Sequence, residues 1–525
     1  MRISGWLFAG LMVCLLASHG RCEAGDWSDG ATRVSLTGLA GIGVYAVPRA
    51  NFGAGSYDIR DVRDFSAGLR GDAGDARHSP VWVEGFLKPS LRLTHDDGAG
   101  GAFIAEVSAV LATTQGDGDA TITSFTRGNP RSVSIEQAYV GYRMKPPFGL
   151  RGDSLTVQLG RQDFILDDGF LIHLARFNIG RQSNFYLSPR GAFDGWGTLR
   201  FNTAPVRGDI FVLSTPVDNK AGYGNRDFVT DQPNTDFAGF DVEWFEPVDR
   251  AGANPAVNYL DRARYLNFTY LNIFNSDRNR RLYGDDSPFY WARRKGLHVF
   301  SLSGGGRLIP IRSLALDRNA SLYFQYVRQL NWTRGRKVDA TGFYIEPGYT
   351  FSGISWSPAI SYRYSYFSGN RAPPGEPLGI KRSYDPLFLG GGFRDYLGNW
   401  GPGEIIGTYM LPSSNLIVHQ VELKLTAPFH LAKEGDALQF ELLAYQFLLD
   451  KTGPARATSR RFAREVDASA RYIYDEKTTA AVVLGAAFAQ RGARQWLDAT
   501  TEFFPGGRRA RGNSYIAEFY VIRSF

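Results

Sequence analysis

The residues of this chain that could do chemistry are mainly arginines set between apolar neighbours. Of the 59 basic residues, 49 are arginine and ten are lysine. A guanidinium group carries a planar fork of donors that can hold both oxygens of a carboxylate, so arginines suit the binding of acidic sugars and similar anions. A GC-rich coding sequence would also raise the arginine content everywhere, and the count alone does not choose between the two explanations.

The stretch AISYRYSYFSG, residues 359–369, shows how these arginines are placed. Three tyrosines and Ile360 fall on one face of an extended strand, and Arg363 falls on the other among small residues. In a soluble β-protein the aromatic face would pack inward and Arg363 would lie on the surface. In a membrane β-barrel the aromatic face would meet lipid, and Arg363 would point into an aqueous lumen.

Signals for catalysis are weak. The seven histidines are scattered, and both cysteines, Cys14 and Cys22, lie close to the N-terminus. DDGF at 167–170 lacks the rest of a calcium loop, and SGGGR at 303–307 lacks the Lys-Ser or Lys-Thr of a P-loop. We therefore expect no enzyme, no metal and no cofactor. A secreted polysaccharide lyase on a β-scaffold is the alternative class.

The N-terminal segment predicts export from the cytoplasm. Arg2 precedes a short apolar run and then small and polar residues, as in a secretory signal peptide. We predict cleavage between Gly20 and Ala24, with 1–24 as the signal peptide and 25–525 as a single domain. The mature chain then has no cysteine, which excludes disulfides. Its mild positive charge does not indicate a nucleic-acid partner.

Apolar and polar residues alternate along most of the remaining chain. About eighteen segments of roughly ten residues show this period of two, as expected for a transmembrane β-barrel in which every second residue meets lipid. The segments cover 34–47, 81–94, 102–113, 134–144, 155–162, 193–202, 209–215, 237–245, 264–274, 297–305, 321–332, 342–351, 359–369, 415–426, 437–447, 464–474, 478–489 and 514–525.

The connections between these segments alternate between long and short. Long stretches such as 48–80, 163–192 and 369–414 are followed by short turns, with one short connection near 334–340 where a long one is due. This asymmetry is typical of outer-membrane barrels with short periplasmic turns and long extracellular loops. The fold class predicted is all-β: an antiparallel up-and-down transmembrane β-barrel of about eighteen strands.

Several stretches in this order resemble the alginate export family of outer-membrane β-barrels. They are SYRYSYFSGN (361–370), YDPLFLGGGFRDYLGNWGPGEI (384–405), LPSSNLIVHQVELKLTAP (411–428), VQLGRQ (157–162), DDGF (167–170) and FDGWGTLRF (193–201). The resemblance implies a monomeric barrel in the lipid of a Gram-negative outer membrane. It also implies an arginine-containing pore for an anionic polysaccharide and a periplasmic secretion scaffold as partner.

Strand parity selects candidate pore-lining residues, because lumen and lipid faces alternate. The basic candidates are Arg363, Arg143, Arg471, Arg92, Arg200, Lys88, Lys424 and Arg161. The acidic and polar candidates are Glu84, Asp194, Asp241, Glu243, Glu422, Glu465, Asp467, Gln137, Gln158 and Gln162. We expect the first three arginines at the constriction. Alternatively, these charges form ladders that fill and stiffen a wide lumen.

Three groups of residues test the parity argument. Arg161 matches the family resemblance, yet parity turns it toward lipid unless a bulge intervenes. Parity also turns Glu136 toward lipid, where it is tolerable only near a rim. Aromatic residues near strand ends are predicted to form interfacial girdles; the examples are Tyr45, Trp82, Tyr270, Trp332 and Tyr472.

The predicted function is an outer-membrane channel for passive diffusion or export of an anionic polysaccharide, such as an alginate-like polyuronate. The alternative in the same fold is a porin for small acidic sugars or ions. The long segment 369–414, rich in glycine and proline, would fold over or into the mouth of the barrel. We hypothesise that it forms a gate.

Overall fold

A computed structural model places the chain in one antiparallel β-barrel. The structure describes residues 25–58, 76–124, 126, 129–144, 155–173, 183–215, 235–247, 262–276, 294–307, 319–335, 337–371, 379–389, 402–501 and 510–525. The predicted signal peptide lies outside these residues.

Eighteen long strands, numbered β1 to β18 in chain order, form the wall. They are Thr32–Ala46, Val81–Asp96, Gly101–Gly116, Arg131–Met144, Leu155–Arg161, Asp194–Asn202, Val206–Ser214, Thr235–Pro247, Arg262–Ser276, Leu297–Arg307, Ala320–Asn331, Val338–Thr350, Ala359–Phe367, Leu416–Thr426, Ala437–Leu449, Arg461–Ile473, Thr478–Ala489 and Asn513–Ser524. A short extra strand, Asp26–Ser28, pairs with the start of β1, and Tyr57–Asp58 pairs with Thr123–Ser124 apart from the wall.

The wall closes because the last strand pairs with the first. Every long strand is antiparallel to its neighbours in the chain, and β18 pairs with β1 from Ser524 opposite Leu39 to Ala517 opposite Ala46. Closure leaves no long strand with an unpaired edge. The predicted antiparallel barrel of eighteen strands is therefore confirmed.

The outer face of the wall is apolar. Large hydrophobic side chains stand exposed on it at every second position; examples from the last strands are Val421, Leu442, Val466, Leu484 and Phe519. On β13, Tyr362 is 39% exposed while Arg363 is 3% exposed, so the strand turns its tyrosines outward and its arginine inward. No helix within the described residues is long and apolar enough to cross a membrane.

Long loops lie at one end of the barrel and short turns at the other, as the sequence predicts. The short connection expected near 334–340 lies between β11 and β12, at the long-loop end. The described helices are also at that end: a 3-10 helix at Ala50–Gly53, a π-helix at Gly403–Met410, and the α-helix α1 at Arg491–Thr501.

The lumen is filled at the long-loop end by a buried apolar core. Phe170, Phe388 and Ile406 from the loops pack there with Phe211 and Phe237 from the wall. The ring centroids of Phe237 and Phe388 are 4.7 Å apart. The inner face of the barrel is thus apolar near the loops, where it packs against protein, and polar further down.

Two of the predicted girdle residues belong to this core. Tyr45 and Trp82 are fully buried and stack on each other, with ring centroids 5.2 Å apart. Their neighbour Val44 takes the outward position. The girdle prediction is wrong for these two residues, because an inward position near the loops is apolar here. Trp332 is exposed, as a girdle residue should be.

Candidate channel lumen

Five loop segments fold into the barrel, and we call them together the plug. They are 50–56, 163–173, 183–193, 381–389 and 402–411. Inward-facing polar side chains of the wall bind four of them, 163–173, 183–193, 381–389 and 402–411. The plug therefore decides which wall residues still face water.

The segment 163–173 crosses the lumen from β5 to a distant part of the wall. Asp167 Oδ2 accepts a hydrogen bond of 2.6 Å from Ser303 Oγ on β10. Asp168 Oδ2 accepts one of 2.8 Å from Tyr344 Oη on β12. The DDGF motif thus supplies two carboxylates that hold a strap across the lumen.

The segment 381–389 is held by a buried ion pair. Arg294 Nε and Nη2 donate to Asp385 Oδ2 and Oδ1 at 2.7 and 2.8 Å, and both side chains are almost fully buried. The guanidinium also lies over the Phe388 ring, 5.4 Å from its centroid. Gln329 on β11 exchanges two hydrogen bonds with the backbone of Asp385. This geometry clamps the middle of the predicted gate segment inside the barrel.

We expect Arg294→Ala to release the segment 381–389. The substitution leaves the Asp385 carboxylate buried without its cation, which costs about 3–5 kcal/mol. Hydrogen exchange of the amides in 381–389 should rise strongly. The control is Arg382→Ala, since Arg382 is half-exposed and lies 3.6 Å from Asp339, and it should leave exchange unchanged. Equal exchange in both variants would contradict the clamp.

The segment 402–411 begins a helix directly on an acidic pair of β16. The backbone N–H groups of Ile405 and Ile406 donate to the Glu465 carboxylate at 2.6 and 2.9 Å, and that of Glu404 donates to Asp467 Oδ2 at 3.1 Å. These are unsatisfied donors of a helix N-terminus, where a carboxylate is favoured. A Cβ on Gly403 would meet the Glu465 carboxyl carbon at 2.7 Å, so only glycine allows this approach.

The segment 183–193 is fastened in the same manner by carboxylates of β2 and β4. Glu84 accepts hydrogen bonds from the backbone N–H groups of Tyr186 and Leu187 and from Trp82 Nε1, at 2.9 to 3.1 Å. Glu136 Oε1 accepts two more from the backbone of 191–192. Tyr186 Oη donates to Glu404 Oε2 at 3.0 Å and so joins two plug segments.

Glu84, Glu465 and Asp467, predicted to line the pore, therefore contact the plug. All three are fully buried. In this conformation their carboxylates bind backbone donors rather than water. Their role in selecting solutes stays a prediction.

Further down, charged residues on the inner wall form ion pairs, between neighbouring strands except for Lys424 and Glu422, which lie on the same strand. Arg200 Nε lies 2.7 Å from Asp209 Oδ1, and Lys424 Nζ lies 2.5 Å from Glu422 Oε1 and 3.8 Å from Glu441 Oε1. Arg207 Nη2 lies 2.6 Å from Glu243 Oε1. The pairs Arg200–Asp209 and Arg207–Glu243 are cross-strand contacts of the kind that the ladder interpretation expects.

The cations of these pairs are more exposed than the anions. Side-chain exposure is 37% for Arg200 and 12% for Asp209, 32% for Lys424 and 3% for Glu422, and 14% for Arg207 and 3% for Glu243. Two pairs differ: Lys88 is 17% exposed beside Asp163, which is 42% exposed at 3.5 Å, and Arg363 is 4% exposed beside Glu346, which is 9% exposed. In the first three pairs the positive charge thus faces the lumen water, while the negative charge is covered.

The remaining predicted basic residues differ in their access to water. Arg92 and Arg143 are exposed on the inner wall, and Arg471 is partly exposed. Arg143 and Arg200 both pair in register with Thr156, so they share one row across neighbouring strands. Arg363 is buried instead: its Nε donates to Gln420 Oε1 at 3.1 Å, and its Nη1 lies 3.9 Å from Glu346 Oε2.

The predicted polar residues contact their strand neighbours. Asp241 accepts two hydrogen bonds from Asn267 Nδ2, at 2.6 and 2.9 Å. Gln137 Nε2 donates to Asp163 Oδ2 at 2.8 Å. Gln162 is buried, and Gln158 is partly buried opposite Thr198 in the register.

Three irregularities in the strands change the parity result, at Glu136, at Gly160 and at Trp196. The register shifts so that Glu136 has no partner between Ile135 and Gln137, and this bulge turns Glu136 inward, which corrects the expectation that it faces lipid. Gly160 has a φ of 115°, in the left-handed region that favours glycine. The next residue is Arg161, whose inward direction was predicted to require a bulge.

Arg161 lies near the pairing of β5 with β6, which has only four residue pairs in register. Its Nη1 binds Asp194 Oδ1 at 2.8 Å, its Nε donates to the Glu136 carbonyl at 2.6 Å, and its side chain is mostly buried. Asp194 itself is half-exposed. The register shifts at Trp196, between Asp194 and Thr198, so these two side chains do not share a face of the strand. Arg161 and Asp194 thus form a pair that sequence parity did not predict.

Several residues of the site escaped the sequence analysis. Arg294, Tyr186 and Glu404 lie in loops, where no period indicates direction. Arg207 lies just before the segment predicted to begin at 209, and extending the alternation by one inward position would have found it.

A closed barrel with an apolar outer face, short turns at one end and long loops at the other defines a β-barrel of the Gram-negative outer membrane, with a porin-like architecture. Inward-folded loops narrow its lumen. No family model matches the chain, and no curated protein matches it, so the resemblance to the alginate export family is not shown.

Solved structures with this architecture include OprD of Pseudomonas aeruginosa, at 10% identity and a TM-score of 0.47, covering 96% of this chain and 97% of that one. OpdQ of the same organism has 12% identity and a TM-score of 0.45, covering 95% and 99%. An anion-selective porin from Comamonas acidovorans has 11% identity and a TM-score of 0.34, covering 94% and 100%. These likenesses are too distant to indicate the solute.

Proposed function

We propose that the barrel is a passive channel for small anionic solutes, such as acidic sugars or inorganic anions. The observation that supports this most is the arrangement of three inner pairs, Arg200–Asp209, Arg207–Glu243 and Lys424–Glu422, in which the cation faces water and the carboxylate is covered. Exposed positive charges in a channel with low-dielectric walls concentrate anions and speed their entry. The wall closes within one chain, so no partner subunit is needed to complete the pore, and we propose that the barrel acts as a monomer.

Planar-bilayer recordings test this function. In a potassium chloride gradient the reversal potential should have the sign of chloride selectivity. Addition of a monomeric uronate should change the measured current, because the uronate passes through the same pore as chloride. A potassium-selective current from the wild-type chain would overturn the proposal.

The plug favours small solutes over a polymer. The segments 381–389 and 402–411 belong to the predicted gate, and both lie in the lumen on buried anchors. A polysaccharide chain would require them to leave. We propose that they form the gate and that the structure describes its closed state, with 372–378 and 390–401 outside the described residues.

Polymer export remains the second candidate, favoured by the width of an eighteen-strand wall once the plug is displaced. It would involve an anionic polysaccharide such as a polyuronate and a periplasmic scaffold as partners. Block of the open channel by polyuronate from one side would support export. Indifference to polyuronate with sensitivity to monomeric uronate would support the porin.

The gate should respond to pH through Glu404. Burial and the nearby Asp467 raise the pKa of the Glu404 carboxyl to about 8. Glu465 and Glu518 on the wall and Tyr186 on the plug also face it. An acid with a raised pKa in the docked state stabilises docking at low pH and loses that contribution as pH rises through about 8.

We therefore expect mean conductance to increase between about pH 5 and pH 8. The isosteric variant Glu404→Gln should keep the segment docked and make this profile shallower, because its side chain cannot ionise while the coupled carboxyls of Glu465 and Glu518 still can. Glu434→Gln, in the exposed turn 427–436 at the other end, is the matched control and should keep the wild-type profile. An unchanged profile in Glu404→Gln would contradict the role of this carboxyl.

A further inference from the structure

The outer wall carries an unusual concentration of arginine near the long loops. Arg461 and Arg464 are both exposed on β16, and Arg491 and Arg494 are exposed on α1, which packs against the same strand. Within the described part of the chain, none of these four lies within salt-bridge distance of a carboxylate. We call these four residues, together with Arg460 and Lys451, the basic patch.

The two strand arginines point away from the lumen. Arg464 has the same parity as Val466, which is exposed on the lipid side, and it pairs in register with the outward Phe488. A bulge at Phe462 shifts the register, so that Arg461, which pairs with Leu448, also lies on the outer face. Both guanidinium groups therefore lie outside the barrel, directly above its apolar belt.

The neighbouring groups orient the patch rather than neutralise it. Arg464 Nε donates to Gln446 Oε1 at 3.0 Å, which leaves its terminal nitrogens available. Asp450 is the single carboxylate near Lys451 and Arg460 among the described residues, at 2.7 and 3.9 Å. It also accepts hydrogen bonds from Tyr366 Oη and the Gly369 N–H. One mostly buried carboxylate thus pairs with two cations, and the net charge of the basic patch stays strongly positive.

The wall below the patch suits acyl chains. Leu442, Val466 and Leu484 stand exposed there, and the small Ala444 and Ala468 lie between them, opposite Val466 and Leu442 in the register. An amphiphile with a phosphorylated headgroup and several acyl chains would match both zones at once. Arginine is well suited to phosphate because its planar donors bind two oxygens together.

We propose that the basic patch binds the phosphorylated headgroup of an outer-leaflet glycolipid, with the acyl chains lying on β15 to β17. This is a site on the lipid side of the wall, separate from the lumen and independent of the solute that passes. It would fix the height and rotation of the barrel in the outer leaflet.

The test uses the full mature chain refolded in detergent and titrated with diphosphorylated lipid A. Wild-type protein should bind it, and Arg461→Gln with Arg464→Gln should weaken binding by about tenfold or more, because two charge-assisted contacts are lost. The matched control is Arg328→Gln: this outward arginine lies near the same end, but Asp339 already neutralises it. The control should bind like wild type.

Three readouts make the result decisive. Heat-modifiable gel mobility and unchanged single-channel conductance show that the double variant has folded. Lipid A lacking its phosphates should bind the wild type as weakly as intact lipid A binds the double variant. Equal binding of the dephosphorylated lipid, equal binding by the double variant, or full competition by millimolar inorganic phosphate would overturn the proposal.

Discussion

Glu465→Ala should open the channel and raise its single-channel conductance several-fold. The carboxylate accepts hydrogen bonds from the N–H groups of Ile405 and Ile406 at the start of the plug helix. A buried N–H left without its acceptor costs about 1–3 kcal/mol, so truncating Glu465 removes enough free energy to shift the docked segment toward release. Planar-bilayer recording of the purified variant measures the change.

Two variants control for this result. Glu465→Gln keeps one carbonyl acceptor and should open the channel less than alanine does. Glu243→Gln neutralises an inward carboxylate that pairs with Arg207 on the neighbouring strand, so it should keep the closed conductance. If folded Glu465→Ala conducts like the wild type, the segment 402–411 is not the gate.

Arg92→Glu combined with Arg143→Glu should turn the selectivity toward cations. Both side chains are exposed on the inner wall, and neither lies within salt-bridge distance of a carboxylate among the described residues. Reversing two unit charges beside the path of an ion changes its interaction by about 1 kcal/mol or more per site even in water. We expect the chloride-to-potassium permeability ratio to fall by about tenfold or more.

The control for this second experiment is Arg264→Glu. Arg264 is paired with Glu246 near the short turns, and its strand neighbour Leu266 is exposed on the outer face. A charge reversal there should leave the reversal potential nearly unchanged. Equal shifts in both variants would mean that overall charge, rather than the inner wall, sets selectivity.

The strands and their facing were largely predictable because a strand alternates sides with a strict period of two. All eighteen segments are strands, and Tyr362 and Arg363 lie on the sides that their positions indicate. The rule failed where one residue is inserted into the register, at Glu136 and near Trp196, since a bulge reverses every side chain beyond it. A single sequence does not mark such insertions.

The sequence by itself determined a closed β-barrel with an apolar outside, because alternation and the lengths of the connections are local properties of the chain. The plug was decided only by the tertiary structure. Asp385 and Arg294 are 91 residues apart, and Tyr186 and Glu404 are 218 residues apart, so no local pattern indicates these contacts. For the same reason, tertiary contacts decided which inward carboxylates bind the backbone of a folded loop and which cations remain in water.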